Sequence, residues 1–105
     1  YQGLTTENIL PVPMQYMLHQ NYPNPFNPRT VIQYEIPIQG RVVIAIFDIL
    51  GREVVTLVDA VQGPGYKAIT WEGKNERGLP VGAGLYFYQL QTPTYIHTKK
   101  MVFVR

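Results

Sequence analysis

Apolar and polar side chains alternate along most of this chain with a period of two residues. In residues 30–36, Ile32, Tyr34 and Ile36 share one face of an extended segment, and the intervening side chains share the other. Residues 84–92 repeat the pattern with a second apolar row. Because successive side chains of a β-strand point to opposite faces, this period predicts strands that are buried on one side.

The same alternation recurs between turn residues along the rest of the chain. Further strands are predicted over residues 41–48, 53–61, 66–72 and 95–104, with a short strand near residues 16–20. The runs repeat every ~8–12 residues, and no segment shows a helical period. This combination is typical of two facing antiparallel sheets, so we predict an all-β sandwich of about seven strands.

A proline-rich segment, residues 20–28, follows the short strand. Three of its residues are proline and three are asparagine. Proline fixes φ and holds the residue before it in an extended conformation, and Asn-Pro pairs favour turns. We therefore predict a rigid entry turn with Phe26 as its apolar plug. The residues that lock this turn are Asn24, Pro25, Phe26 and Asn27.

Two glycines and the single tryptophan complete the structural predictions. Gly51 and Gly78 each end a four-residue turn sequence at a position that favours a positive φ. We therefore assign both glycines to backbone geometry. Trp71 falls on the apolar row of its predicted strand together with Ile69, so both are predicted to lie in the core.

The first 17 residues lack a sustained period and contain two prolines. We read residues 1–17 as a linker or extended arm and residues 18–105 as the sandwich. The arm is more apolar than an inert linker requires, which suggests that it packs against another surface, either of its own sandwich or of a neighbouring copy. The candidate assembly residues are Leu4, Ile9, Leu10, Val12 and Met14.

Composition narrows the possible functions. The 105 residues include no cysteine and no serine, which excludes thiolate chemistry, disulfides and a serine nucleophile. A net charge of +2 is too weak to indicate a nucleic-acid-binding face. No apolar run approaches the ~20 residues needed to span a bilayer. We expect no nucleic-acid partner and no membrane-spanning segment.

The residues capable of chemistry are scattered. His19 and His97 have no acidic residue at ligand spacing, and the carboxylates fall in turns or on strand faces. We therefore expect no metal, no cofactor and no enzymatic activity. Phe47, Phe87 and Tyr95 could form an exposed aromatic stripe, which leaves a carbohydrate-binding module as one alternative. We favour the interpretation that these rings pack under loops or against the N-terminal arm.

Four strings, in order, resemble a known family. They are QNYPNPFNPRT at 20–30, VVIAIFDILGREVVTLV at 42–58, ITWEGKNERGLPVGAGLYFYQL at 69–90 and TKKMVFVR at 98–105. Together they resemble the type A C-terminal sorting domain of type IX secretion cargo, which is related to the immunoglobulin-like domain of the flagellar hook-capping protein.

The resemblance implies a fold and a role. It implies an immunoglobulin-like sandwich without catalytic activity, which the outer-membrane secretion machinery recognises, and a cargo that passes through the periplasm to the surface of a Gram-negative bacterium. It also implies a sortase-like protease as a partner that removes the domain and anchors the cargo. The family places its recognition determinants in the last strand: Thr98, Lys99, Lys100, Met101, Val102, Phe103, Val104 and Arg105.

A structural role is the remaining alternative. If the module is itself the product, the arm in residues 1–17 could pair with the sheet edge of another copy and build a filament. Copies of the chain are therefore a second possible partner. In either case the lysines at 99 and 100 point to opposite faces, so at least one of them projects outward.

Overall fold

The structure, a computed structural model, describes residues 12–105. These residues form seven strands and no helix. In chain order the strands are β1 (Met17–Leu18), β2 (Thr30–Ile36), β3 (Gly40–Phe47), β4 (Glu53–Gln62), β5 (Gly65–Trp71), β6 (Gly84–Gln91) and β7 (Ile96–Phe103). The predicted all-β architecture is confirmed, and the strand predicted over residues 30–36 has the bounds expected from its alternation.

The strands form two antiparallel sheets. One sheet has three strands in the order β1-β2-β5, and the other has four in the order β4-β3-β6-β7. All of the strand pairs are antiparallel. The edge strands are therefore β1 and β5 in the first sheet, and β4 and β7 in the second. The last strand of the chain lies at an edge, which determines how much of it another molecule can reach.

The core lies between the two sheets and is built from the inward row of each strand. Ile32 and Ile44 are both 0 % exposed and come from opposite sheets. Trp71 is 2 % exposed, and Ile69 is partly buried against the same cluster. Four of the inward side chains are tyrosine or tryptophan, whose rings pack while their polar atoms reach hydrogen-bond partners: Tyr34, Trp71, Tyr86 and Tyr88.

Several segments meet at one end of the sandwich, which we call the distal end. Strand β3 ends there at Phe47, and β7 ends there at Phe103. Strand β6 begins there at Gly84, which pairs with Phe103. Residues 20–29 reach the same end through a bridge between Phe26 and Phe103. The chain enters at the opposite end, because Met17 pairs with Glu35 near the end of β2. The C-terminal residues therefore lie away from the point of entry.

Part of the predicted arm can be placed. Val12 is 52 % exposed and Met14 is 95 % exposed. The arm residues Leu4, Ile9 and Leu10 lie outside the described residues. The division into an arm over residues 1–17 and a sandwich over residues 18–105 stays a prediction.

Candidate functional site

Strand β7 presents two different rows of side chains. Its inward row packs against the other sheet: Met101 is 0 % exposed, Phe103 is 5 % exposed, and Lys99 is half-buried. The alternate residues Thr98, Lys100 and Val102 point away from the core and are exposed. The residues predicted for recognition therefore divide into an outward set that a partner can touch and an inward set that holds the strand in place.

The outward row of β7 has three different chemistries in sequence. Thr98 lies opposite Gln89, whose side-chain amide donates to its hydroxyl at 2.9 Å. Lys100 lies opposite the half-buried Phe87. Val102 pairs with Leu85 as an exposed apolar pair. A hydroxyl, an ammonium and an apolar side chain thus follow each other at intervals of roughly 7 Å, twice the rise per strand residue.

The two residues after β7 are also anchored. The backbone N–H of Val104 donates to the carbonyl of Phe26 at 2.9 Å. The Arg105 guanidinium donates to the carbonyl of Val81 at 2.6 Å and lies 5.5 Å from the centre of the Phe103 ring. A cation at this distance from an aromatic ring is attracted to it. These three contacts fix residues 104 and 105 against the distal end.

Residues 20–26 run along the free edge of β7, and we call them the edge clamp. The Gln20 side-chain amide donates to the carbonyl of Lys100 at 2.8 Å. The Asn24 side-chain oxygen accepts a hydrogen bond from the backbone N–H of Val102 at 2.9 Å. Because these backbone groups point away from β6, they would otherwise face solvent at the sheet edge.

Phe26 completes the edge clamp with backbone bonds and with its ring. Its N–H donates to the carbonyl of Val102 at 2.9 Å. Its side chain is 1 % exposed and stacks on Phe103 with ring centres 4.9 Å apart. The Trp71 ring lies 5.6 Å from it. The apolar plug predicted from the sequence thus sits between the entry turn and the end of β7. The other predicted turn residues, Asn24, Pro25 and Asn27, are exposed.

A buried polar network ties the edge clamp to the core. Asn21 is 3 % exposed, and its N–H donates to the Tyr88 hydroxyl at 2.8 Å. That hydroxyl in turn donates to the carbonyl of His19 at 2.7 Å. The Asn21 side-chain amide donates to Thr30 Oγ1 at 3.0 Å and to the carbonyl of Pro23 at 3.2 Å. Burial raises the pKa of Tyr88 to about 12, so the hydroxyl keeps its proton at neutral pH.

The β3–β4 turn is closed by one aspartate. The Asp48 carboxylate accepts hydrogen bonds from the N–H groups of Leu50 and Arg52 and from the Arg52 guanidinium. Burial alone would raise the pKa of Asp48, but these hydrogen bonds outweigh it and lower the pKa. Gly51 has a φ of 81°, which a side chain would oppose. The predicted glycine turn is therefore built around a charged residue.

A second turn repeats this geometry with asparagine. The Asn75 side-chain oxygen accepts from the N–H groups of Arg77 and Leu79, and Gly78 has a φ of 78°. The intervening Glu76 reaches across to the free edge of β4. Its N–H donates to the carbonyl of Val54 at 3.2 Å, and its carboxylate accepts from the N–H of Thr56 at 3.3 Å. This turn therefore covers part of the second edge of the four-stranded sheet.

The histidines take part in local contacts. His19 Nε2 lies 2.6 Å from a carboxylate oxygen of Glu35, a pairing between sequence-distant residues that the sequence analysis missed. His97 Nδ1 lies 2.9 Å from the Tyr95 hydroxyl. Within residues 12–105, no three histidine, aspartate or glutamate side chains converge in a way that could hold a metal ion.

The aromatic residues considered for sugar binding lie in two places. Phe47 and Phe87 are direct neighbours on the outward face of the four-stranded sheet, and both are half-buried. Tyr95 stacks on Tyr16 with ring centres 5.3 Å apart. The Tyr95 ring is therefore partly covered by the chain itself.

Three residues of the site are not predicted as site residues from the sequence: Gln20, Asn21 and Tyr88. One available signal was the inward position of Tyr88, since a buried tyrosine hydroxyl requires a partner. Gln20 and Asn21 open the proline-rich segment, but nothing local indicates that they bond to segments about 70 or 80 residues away.

The fold and the site define a β-sandwich module whose ordered C-terminal strand is held by an N-terminal loop. The family described as "Secretion system C-terminal sorting domain" matches residues 20–104. The chain belongs to this family, which confirms the predicted type IX secretion sorting domain, a non-catalytic signal for export. Such a domain marks a secreted protein that reaches the cell surface or the extracellular space of a Gram-negative bacterium.

Two solved structures have a similar fold. Dimeric latent PorU from Porphyromonas gingivalis has a TM-score of 0.64 and 23% identity, over 85% of this chain and 9% of that one. PorZ, a surface component of the type-IX secretion system of the same organism, has a TM-score of 0.60 and 19% identity, over 84% of this chain and 11% of that one. The chain thus spans about a tenth of either protein. No curated protein matches the chain. Among the described residues, no helix is long and apolar enough to cross a membrane.

Proposed function

We propose that the module is the export signal of a longer protein and that the secretion machinery reads it on the outward row of β7. The observation that carries this proposal is the division of the strand into two rows. Met101 and Phe103 are in the core, so a partner that binds the folded module cannot contact them. Lys100 and Val102 are exposed on the opposite face.

The partner surface is expected to be acidic and apolar. Lys100 presents an ammonium group, and Val102 with Leu85 presents an apolar pair beside it. Opposite charge steers association and selects among partners, while the apolar pair supplies area that is buried on binding. We propose that this partner belongs to the outer-membrane secretion machinery, and that a sortase-like protease then removes the module and anchors the parent protein at the surface. Under this proposal the module carries no catalysis of its own.

Charge reversal at Lys100 tests the proposal. The chain is fused behind a passenger protein in a bacterium with a type IX secretion system, and the passenger is quantified at the cell surface. Lys100→Glu is expected to lower delivery by at least about tenfold, because like charges placed across an interface cost several kcal/mol. Lys74→Glu is the matched control, since Lys74 is exposed in the turn that follows β5.

Folding is checked separately, so that a delivery defect can be assigned to recognition. Each purified variant is compared with the wild type by circular dichroism and thermal unfolding, and both lysine variants are expected to fold as the wild type does because both side chains are exposed. Val102→Asp provides a second change in the same row. Wild-type delivery of both Lys100→Glu and Val102→Asp would show that this row is not the surface that is read.

A further inference from the structure

We infer that the edge clamp closes the free edge of β7 to strands of other chains and holds its outward side chains in register for recognition, with Asn24 as a positioning residue. The inference rests on the proposed function in one respect, because it takes the outward row of β7 as the surface that is read. It goes further by specifying how β7 is recognised: through its face and not through its edge.

The first step concerns the backbone of an edge strand. Alternate residues of such a strand direct their N–H and C=O groups away from the sheet, where they can template an added strand. Four such groups bond to the edge clamp at 2.8 to 2.9 Å. They are the carbonyls of Lys100 and Val102, the N–H of Val102, and the N–H of Val104 just after the strand. A partner strand would have to displace all four bonds together with the buried Phe26 ring.

The second step concerns the register of β7. The edge clamp uses a donor at Gln20 and an acceptor at Asn24, so each side chain matches one kind of backbone group. A slip of one residue would bring to the clamp the backbone N–H and C=O groups of β7 that should bond to β6. It would also turn the side chains of β7 to the wrong face. Lys99 would then replace Lys100 on the outside. The clamp thus selects the register that exposes Lys100.

The third step concerns the position of Asn24. The residue is exposed, and its side-chain oxygen bonds to the amide of Val102, a residue of the outward row. It lies 78 positions from that amide in the chain. Its replacement therefore removes a contact to the recognised strand without opening the core. This separates positioning from overall stability.

Amide hydrogen exchange on the purified 105-residue chain tests the clamp directly. Asn24→Ala removes the acceptor, and exchange at the Val102 amide is expected to rise about fivefold to tenfold. Asn24→Asp keeps a side-chain oxygen at the same place and is expected to exchange close to the wild-type rate. Amides of β4, which lies at the opposite edge of the four-stranded sheet, serve as internal controls. An unchanged Val102 rate in Asn24→Ala would overturn the inference.

A strand-addition assay tests the closed edge. The probe is a fluorescent peptide with the sequence of residues 96–103, and its binding is followed by anisotropy. The wild-type chain is expected not to bind the peptide. A variant that carries both Gln20→Ala and Asn24→Ala is expected to bind it more than the wild type does, because the Lys100 carbonyl and the Val102 N–H lose their partners and only the two backbone bonds of Phe26 remain to be displaced. Equal binding to the wild type and the double variant would show that the clamp does not close this edge.

Delivery of the fused passenger connects the clamp to sorting. Asn24→Ala is expected to remain folded but to lower surface delivery of the passenger. The separate variant Asn24→Asp is expected to deliver the passenger at about the wild-type level. If Asn24→Ala opens the edge but delivers normally, the positioning role of Asn24 is refuted. The exchange and peptide assays use the isolated chain and do not depend on which face is read. Failure of the proposed function would instead appear as normal delivery of Lys100→Glu beside a clamp that behaves as described.

Discussion

Replacing Tyr88 with phenylalanine removes a single oxygen atom at the junction of the edge clamp and the core. The Tyr88 side chain is 0 % exposed. Its hydroxyl accepts from the N–H of Asn21 at 2.8 Å and donates to the carbonyl of His19 at 2.7 Å. Asn21 is itself 3 % exposed, so water has little access to the freed N–H group. The substitution therefore leaves one buried donor and one partly buried acceptor without a partner.

The expected loss follows from these two groups. A buried backbone group that loses its hydrogen bond costs about 1–3 kcal/mol. The carbonyl of His19 belongs to a half-buried residue, so hydration can offset part of its cost. We expect Tyr88→Phe to lower the free energy of unfolding by about 2–4 kcal/mol. Domains of this kind typically have 5–15 kcal/mol in total, so the variant is expected to remain folded but to lose a substantial share of its stability.

Guanidinium unfolding followed by Trp71 fluorescence measures this loss, since Trp71 is the only tryptophan and lies in the core. The midpoint should fall while the slope with denaturant stays unchanged. Tyr66→Phe is the matched control: Tyr66 is 60 % exposed on β5, and such a change typically costs less than about 0.5 kcal/mol. A loss below about 1 kcal/mol in Tyr88→Phe would refute the view that its hydroxyl satisfies buried backbone groups.

Three further changes test other parts of the fold. The pKa of Tyr88 is raised from 10.0 to about 12, so between these pH values the folded state keeps a proton that the unfolded state releases. The free energy of unfolding is therefore expected to fall as the pH rises from 10 to about 12. In Tyr88→Phe the part of this fall that Tyr88 causes should be absent. Phe26→Ala is expected to cost about 3–5 kcal/mol, with a smaller loss for Phe26→Leu, in the same fluorescence assay. Gly78→Ala forces a side chain to a φ of 78° and is expected to cost about 1–2 kcal/mol, whereas Gly82→Ala, which has open space and no positive φ, should leave the unfolding midpoint unchanged.

The strands could be predicted because their pattern is local. The alternation of Ile32, Tyr34 and Ile36 fixes both the strand and its buried face, and β2 has the predicted bounds. Gly51 and Gly78 mark turns that the structure contains, with positive φ at both positions. Such features depend on residues within a few positions of each other. They are accessible to arguments from periodicity and turn chemistry.

The edge clamp could not be predicted because its contacts are not local. The sequence marks residues 20–28 as a rigid turn, and Phe26 as a plug, but it does not say what the turn packs against. The partner of Asn24 is 78 positions away. The pairing of His19 with Glu35 was missed for the same reason, since it depends on β1 and β2 being neighbours. Periodicity gives the face of a strand, but not the sheet edge at which the strand lies.

The four edge strands limit how copies of the module could pair. Strand β1 has only two residues, and a short strand is a poor template. Strand β7 is covered by the edge clamp over its distal half, and β4 is covered near Val54 and Thr56 by Glu76. Among residues 12–105, the remaining long edge is β5. A filament built by edge pairing would therefore depend on β5 or on the uncovered parts of β4 and β7.

Strand β5 carries its own obstacle to pairing, an inward-facing lysine. Lys67 lies opposite the buried Tyr34, on the row that faces the core. An inward charge on an edge strand discourages pairing, because an added strand would help to bury the charge without giving it a partner. We expect the chain to be monomeric, Lys67→Met to self-associate, and Lys67→Arg to remain monomeric because it keeps the charge. Sedimentation at rising concentration measures this; a wild-type chain that self-associates, or a Lys67→Met variant that stays monomeric, would contradict the role of Lys67.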